Sequence, residues 1–206
     1  MTFITDFADQ AVMLPLALAI GVALLLQGWR RGAAAWALAV VGTFAAMLVL
    51  KLVFLACGPS LGASDIRTPS GHVAAATVIT GGLAALLLGR RATVLPAAVL
   101  AAIVIGLSRL VLGMHSLPEV ILGAMVGLAG AWALLLLAGQ PPPSLDVRRI
   151  AIITAVVALV FHGLHLPAEA HIRSTAWRLA HVLAVCQSDE LRLYTSSNRM
   201  MSSSPR

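Results

Sequence analysis

Six stretches of this chain contain no Asp, Glu, Lys or Arg, and each is close to the length needed to cross a lipid bilayer. They cover residues 10–29, 32–50, 68–89, 92–108, 120–145 and 150–168. A hydrocarbon core of about 30 Å takes roughly 20 residues of α-helix. A helix satisfies its own backbone hydrogen bonds, whereas an open strand in lipid leaves them unmet. The stretches are rich in Ala and Leu, so the expected fold class is all-α, a polytopic membrane helix bundle of about six transmembrane helices. Composition excludes a soluble fold. Of 206 residues, 60% are hydrophobic and 11% charged, against roughly 45–50% and 25% in soluble domains.

The N-terminal flank MTFITDFADQ has two acidic residues and no basic one, so the first stretch does not read as a cleaved signal peptide. A net charge of +6 invites a nucleic-acid reading, but the arginines lie in short loops, where they report topology instead. The pairs Arg30-Arg31, Arg90-Arg91 and Arg148-Arg149 follow the first, third and fifth stretches. By the positive-inside rule these loops are cytoplasmic, so both termini and the loops after the second and fourth stretches face outward.

One membrane domain is expected over residues 5–185, followed by a Ser-rich tail, 186–206, of disordered character. Residues 167–185 mix apolar positions with Arg and His, as a helix lying in the interface would. The Pro-Pro-Pro run at 141–143 reads as a stiff connector. Cys57 and Cys186 both fall on the outer side, where a disulfide is chemically allowed. Two cysteines make no framework, however, and free thiols are the expectation. His162, His165, His171 and His181 lack nearby Cys or paired carboxylates and read as helix-end or headgroup-facing residues, not a metal site. Trp29, Trp36, Trp132 and Trp177 read mostly as interface anchors.

Remove the cytoplasmic arginines, the termini and the tail, and the remaining ionisable residues gather in one place. Lys51, the sole lysine, closes the second stretch; His72 opens the third; Arg109 closes the fourth; His115 and Glu119 border the fifth. Under the topology above, all lie at the same outer face. Snorkelling accounts for Lys51 or Arg109 taken singly. Two histidines and a carboxylate beside them mark a candidate site, because charge near hydrocarbon is costly.

The spacing sharpens this. Residues 69–72 read Pro-Ser-Gly-His, and residues 108–115 read SRLVLGMH with Glu119 four positions on. The sequence here resembles the type 2 phosphatidic acid phosphatase superfamily, which includes membrane lipid-phosphate phosphatases and is related to vanadium haloperoxidases. Its second motif, Pro-Ser-Gly-His, is matched in full by Pro69, Ser70, Gly71 and His72. Its third, Ser-Arg, five residues, His, three residues, Asp, is matched by Ser108, Arg109 and His115, with Glu119 in place of Asp. Its first, Lys, six residues, Arg-Pro, is matched by Lys51 and Pro59, but Gly58 stands where the arginine belongs. The resemblance covers about residues 51–119.

The resemblance implies hydrolysis of a phosphate ester or anhydride of a membrane lipid: phosphatidic acid, phosphatidylglycerol phosphate, an isoprenoid pyrophosphate or a lipid A type. It implies His115 as nucleophile through a phosphohistidine, Glu119 orienting it, and His72 as general acid and then base. Lys51, Ser70, Gly71 and Arg109 would bind phosphate. Arg67 is a candidate for the missing cation, or else an ordinary loop arginine. Glu119 also completes a capping box with Ser116, a structural reading that can coexist with the catalytic one. No metal or other cofactor is implied, and the partners expected are the lipid substrate and the bilayer, without nucleic acid. The location implied is a bacterial inner membrane with the site facing the periplasm or exterior. A lipid phosphotransferase of the same superfamily is the nearest alternative, distinguished by a phosphorylated acceptor in place of free phosphate. A catalytically impaired lipid-binding or transport protein is the alternative from another class, raised by Gly58 and opposed by the two histidines.

Overall fold

Asp9 stands in extended backbone just before the first apolar run, and its carboxylate accepts the Ala11 N–H at 2.8 Å. That N-cap starts α1 (Gln10–Leu26). The structure, a computed structural model, describes residues 3, 6–57, 66, 68–88, 91–164, 172, 174 and 175. Five further helices follow: α2 (Arg30–Cys57), α3 (Gly71–Leu88), α4 (Arg91–Val111), α5 (Leu117–Ala138) and α6 (Val147–Phe161). No strand occurs among the described residues. The described residues form an all-α bundle.

Four helices, in α2 to α5, are long and apolar enough to cross a membrane, whereas α1 has 17 residues and α6 has 15. At 1.5 Å per residue those two measure about 26 Å and 23 Å. Each ends where a glycine adopts positive φ, Gly28 at 81° and Gly163 at 80°. About six transmembrane helices are expected from the charge-free stretches; six helices are found among the described residues, four of them long and apolar enough to cross a membrane.

Helix ends also differ from those stretches in an informative way. α2 runs six residues past Lys51, and α4 passes Arg109 by two. Both charges thus lie inside helices, and a criterion that stops a helix at any charge cuts it short. At the far end, α5 stops at Gly139, with φ 72°, before the proline run.

α3 is the hub, packed against α4 and α5, with α2 against α5 and α1 against α6. Its buried side includes Val73, Ala75, Val78, Ile79 and Leu86. Outward positions carry large apolar groups, Leu18, Val41, Leu100, Met125 and Leu159 among them. Apolar residues on all sides of a helix suit a bilayer. Trp36 corrects one expectation: it is a core residue, 1% exposed, whose indole donates to the Ala17 carbonyl at 2.9 Å and ties α2 to α1. Trp29 is buried as well, Trp132 is exposed, and Trp177 lies outside the described residues.

Cys57 corrects another. It is disulfide-bonded, not a free thiol. The second cysteine, Cys186, lies outside the described residues, as do most of 167–185 and all of the tail.

Candidate active site

The turn that delivers His115 is built by the end of α4. Met114 N–H reaches the Arg109 carbonyl at 3.1 Å, Gly113 N–H reaches the Leu110 carbonyl at 3.0 Å, and Gly113 has φ 64°. This is a Schellman arrangement, in which a left-handed residue closes the helix, and glycine takes that conformation without steric cost. It leaves Arg109 in the last turn of α4 and sends His115 into the short link to α5. Ser116 then caps α5, with Pro118 in the first turn and the capping box completed by Glu119.

Glu119 joins three segments. Its Oε2 accepts the Ser116 N–H at 3.0 Å and lies 2.8 Å from His115 Nδ1; its Oε1 accepts the Thr68 N–H at 2.9 Å. Its backbone carbonyl accepts the Ser70 N–H at 3.0 Å. The cap and the histidine contact, read from sequence as two separate possibilities, are made by one carboxylate at once. The bonds from Thr68 and Ser70 also pin the Pro-Ser-Gly-His turn to the start of α5.

Close helix packing makes this possible. A Cβ at Gly123 would collide with the Ser70 carbonyl, and one at Gly127 would lie 2.6 Å from the Ala74 carbonyl. Glycines on one face of α5, four residues apart, let α3 approach to backbone contact, a geometry familiar from membrane helices. The first turn of α3 therefore lies directly beside Glu119.

Lys51 comes in from α2. Measured from where a Gly71 side chain would begin, its Cε is 3.6 Å away and its Nζ 3.9 Å. Lys51, Arg109 and Glu119 are all buried. His72 and His115 each lie within electrostatic reach of both Lys51 and Arg109. Buried cations at one end of a helix bundle are costly unless anions join them, and the Glu119 and Asp9 carboxylates stand at this end, where an anionic ligand is a further candidate. The N-terminus of α3 adds the unsatisfied N–H groups of its first turn.

Ser70 departs in detail from the sequence reading. Its N–H is engaged by Glu119, so it has no amide to offer an anion. Its hydroxyl, on a residue with no exposed surface, has no hydrogen-bond partner among the described residues. The Ser70 hydroxyl is thus a buried polar group beside the start of α3, and Gly71 takes the first helical position.

Burial pulls the His115 proton affinity below the ordinary histidine value, against the opposing pull of the Glu119 carboxylate. Burial thus favours the neutral ring. With Nδ1 turned to Glu119, Nε2 is its second nitrogen.

His72, His115, Glu119, Lys51, Ser70, Gly71 and Arg109 are brought together at one end of the bundle. Arg67, Gly58 and Pro59 lie outside the described residues. Sequence reading missed two participants. Thr68 bonds Glu119 through its backbone, which no side-chain pattern reveals. Asp9, also buried, brings Oδ2 to 3.6 Å from His72 Nε2. In the sequence it stands in an acidic flank, where an Asp just before an apolar run signals an N-cap and so a fixed carboxylate. Groups of three or more His, Cys, Asp or Glu able to hold a metal are not found among the described residues.

Residues 33–142 match the family described as PAP2 superfamily. The chain is also similar to an "Uncharacterized 22.5 kDa protein in cps region" of Klebsiella pneumoniae, 33% identical over 171 residues that cover 78% of this chain and 81% of the relative. No solved structure matches it.

Proposed function

The chain belongs to the PAP2 superfamily, whose chemistry is phosphatase-type action on phosphate esters, and from that premise we propose that it dephosphorylates a membrane lipid through a phosphohistidine. The observation that carries this reading is the 2.8 Å contact between His115 Nδ1 and the Glu119 carboxylate, beside two buried cations and a helix N-terminus. A phosphate monoester brings negative charge that Lys51, Arg109 and the first turn of α3 can meet, and prearranged charge of this kind lowers the barrier most.

The steps follow from the arrangement. Neutral His115 attacks phosphorus through Nε2, forming a P–N bond as the P–O bond to the lipid breaks. Glu119 holds the ring and stabilises the charge it gains, as the acid does in other triads. His72 gives a proton to the departing oxygen. It then takes one from water, whose oxygen attacks phosphorus, and P–N cleavage returns His115 and releases inorganic phosphate. Each proton lent is recovered, so the cycle needs no co-reactant beyond water.

Orientation belongs to the same proposal. The arginine pairs at the starts of α2 and α6 lie at the end opposite the site, which favours an outward-facing active site. The disulfide at Cys57, on the site end of α2, suits an oxidising compartment. A lipid substrate follows from a site at the end of apolar helices.

Trapping tests the intermediate. Brief exposure of detergent-purified protein to a radiolabelled lipid phosphate should leave label on the chain, lost in acid and kept in base as a P–N bond requires. His115→Ala should carry none and lose at least about 10³-fold in turnover. Equal labelling of His115→Ala would end the mechanism.

A further inference from the structure

We propose that Asp9 is a positioning residue for His72, fixing the ring through Nε2 so that Nδ1 presents its proton to the leaving oxygen. This rests on the phosphohistidine reading above and extends it to a residue outside the motifs that suggested that reading.

One carboxylate oxygen is held by a cap and the other faces the ring. Oδ1 is taken up by the Ala11 N–H at 2.8 Å, which locks the side chain as the cap of α1. Oδ2 then faces His72 Nε2 at 3.6 Å, an ion-pair distance and just beyond direct hydrogen bonding. The Asp9 side chain is 11% exposed and the His72 side chain 25%. A group this enclosed is less screened than a surface charge.

Charge balance gives the contact its purpose. Arg109 from α4, Lys51 from α2 and His115 from the α4–α5 link all bear on His72 as cations or potential cations, while Glu119 from α5 is engaged by His115. Asp9 sets a carboxylate against this ring, and α1 supplies it from outside the four long helices. Sequence alone could not join them, since 63 positions separate the two residues. The arrangement repeats at His72 what Glu119 does at His115, a carboxylate anchored by a helix cap and bearing on one ring nitrogen.

The test is Asp9→Asn, which keeps a good N-cap and removes the charge; Asp9→Ser serves the same end should the amide fold poorly. Purified protein is assayed on a lipid alkyl phosphate, whose leaving oxygen needs a proton, and on p-nitrophenyl phosphate, whose leaving group does not. Turnover of the alkyl substrate should fall about 10-fold or more, and that of the aryl substrate by less than about threefold. In a His72→Ala background the Asp9 change should add almost nothing, because it acts through that ring. Equal losses on both substrates, full additivity with His72→Ala, or no loss at all would overturn the proposal. His115→Ala and His72→Ala run alongside separate the two readings. If both keep turnover, the phosphohistidine mechanism itself fails; if both lose it while Asp9→Asn is silent, only the role of Asp9 fails.

Discussion

Glu119 uses both carboxylate oxygens and its carbonyl to bind His115, Ser116, Thr68 and Ser70. A substitution there therefore acts on chemistry and on folding together. Glu119→Gln keeps the shape but replaces one accepting oxygen with a donor, so one bond is lost and the ring loses its anion. Turnover should drop by about 10²-fold or more while stability falls by about 1 kcal/mol. Glu119→Asp keeps the charge and should retain more activity than Gln. Comparing kcat and thermal melting for the two variants checks this; a Gln variant that melts early yet turns over normally would reduce Glu119 to a cap. The pH profile follows from the same pair. His115 attacks only when neutral, and burial lowers its proton affinity, so the acid limb of kcat/KM should lie below the ordinary histidine value of about 6.5. The sign for stability agrees. A histidine whose folded value is depressed contributes stability above its unfolded value, and that contribution is lost as pH falls through the folded one. An acid limb above pH ~7 would contradict this, since ordinary histidine already lies lower.

At the scale of elements, the contact between α3 and α5 sets the site, and Gly123 is its tightest point. A Cβ there meets the Ser70 backbone, which cannot turn aside as a side chain can. Gly123→Ala should cost about 1–3 kcal/mol as an overpacked contact and lower activity by shifting the Pro-Ser-Gly-His turn off Glu119. Gly42 in α2 has nothing within 4 Å of its would-be Cβ. Gly42→Ala should be neutral or stabilising by up to about 1 kcal/mol, as alanine favours a helix. Equal behaviour of the two variants in melting and turnover would remove the packing argument. The same contact explains what sequence could and could not reveal. Apolar runs locate the six described helices because lipid demands them. Motif spacing finds His72, Arg109, His115 and Glu119 because each is tied to a helix end by local turn chemistry. Lys51 and Arg109 hid the true ends of α2 and α4, since a buried charge looks from sequence like a boundary. Trp36 looked like an interface anchor because nothing local marks the Ala17 carbonyl it binds. Asp9 and Thr68 act across helices, and no alignment of letters within one segment exposes such contacts.

For the whole molecule, the arginine pairs at the starts of α2 and α6 lie at the end opposite the site, so orientation is a single binary question. A reporter fused after Arg91 should read cytoplasmic and one after Gly62 external; the reverse would turn the site inward. Catalysis by His115 is tested in one assay. Purified protein in detergent is offered a panel of lipid phosphates, with and without EDTA, beside His115→Ala, and free phosphate is measured. Phosphate release from at least one lipid is expected, unchanged by the chelator and abolished in His115→Ala. Absence of release from every lipid phosphate, or release that survives loss of His115, would contradict it.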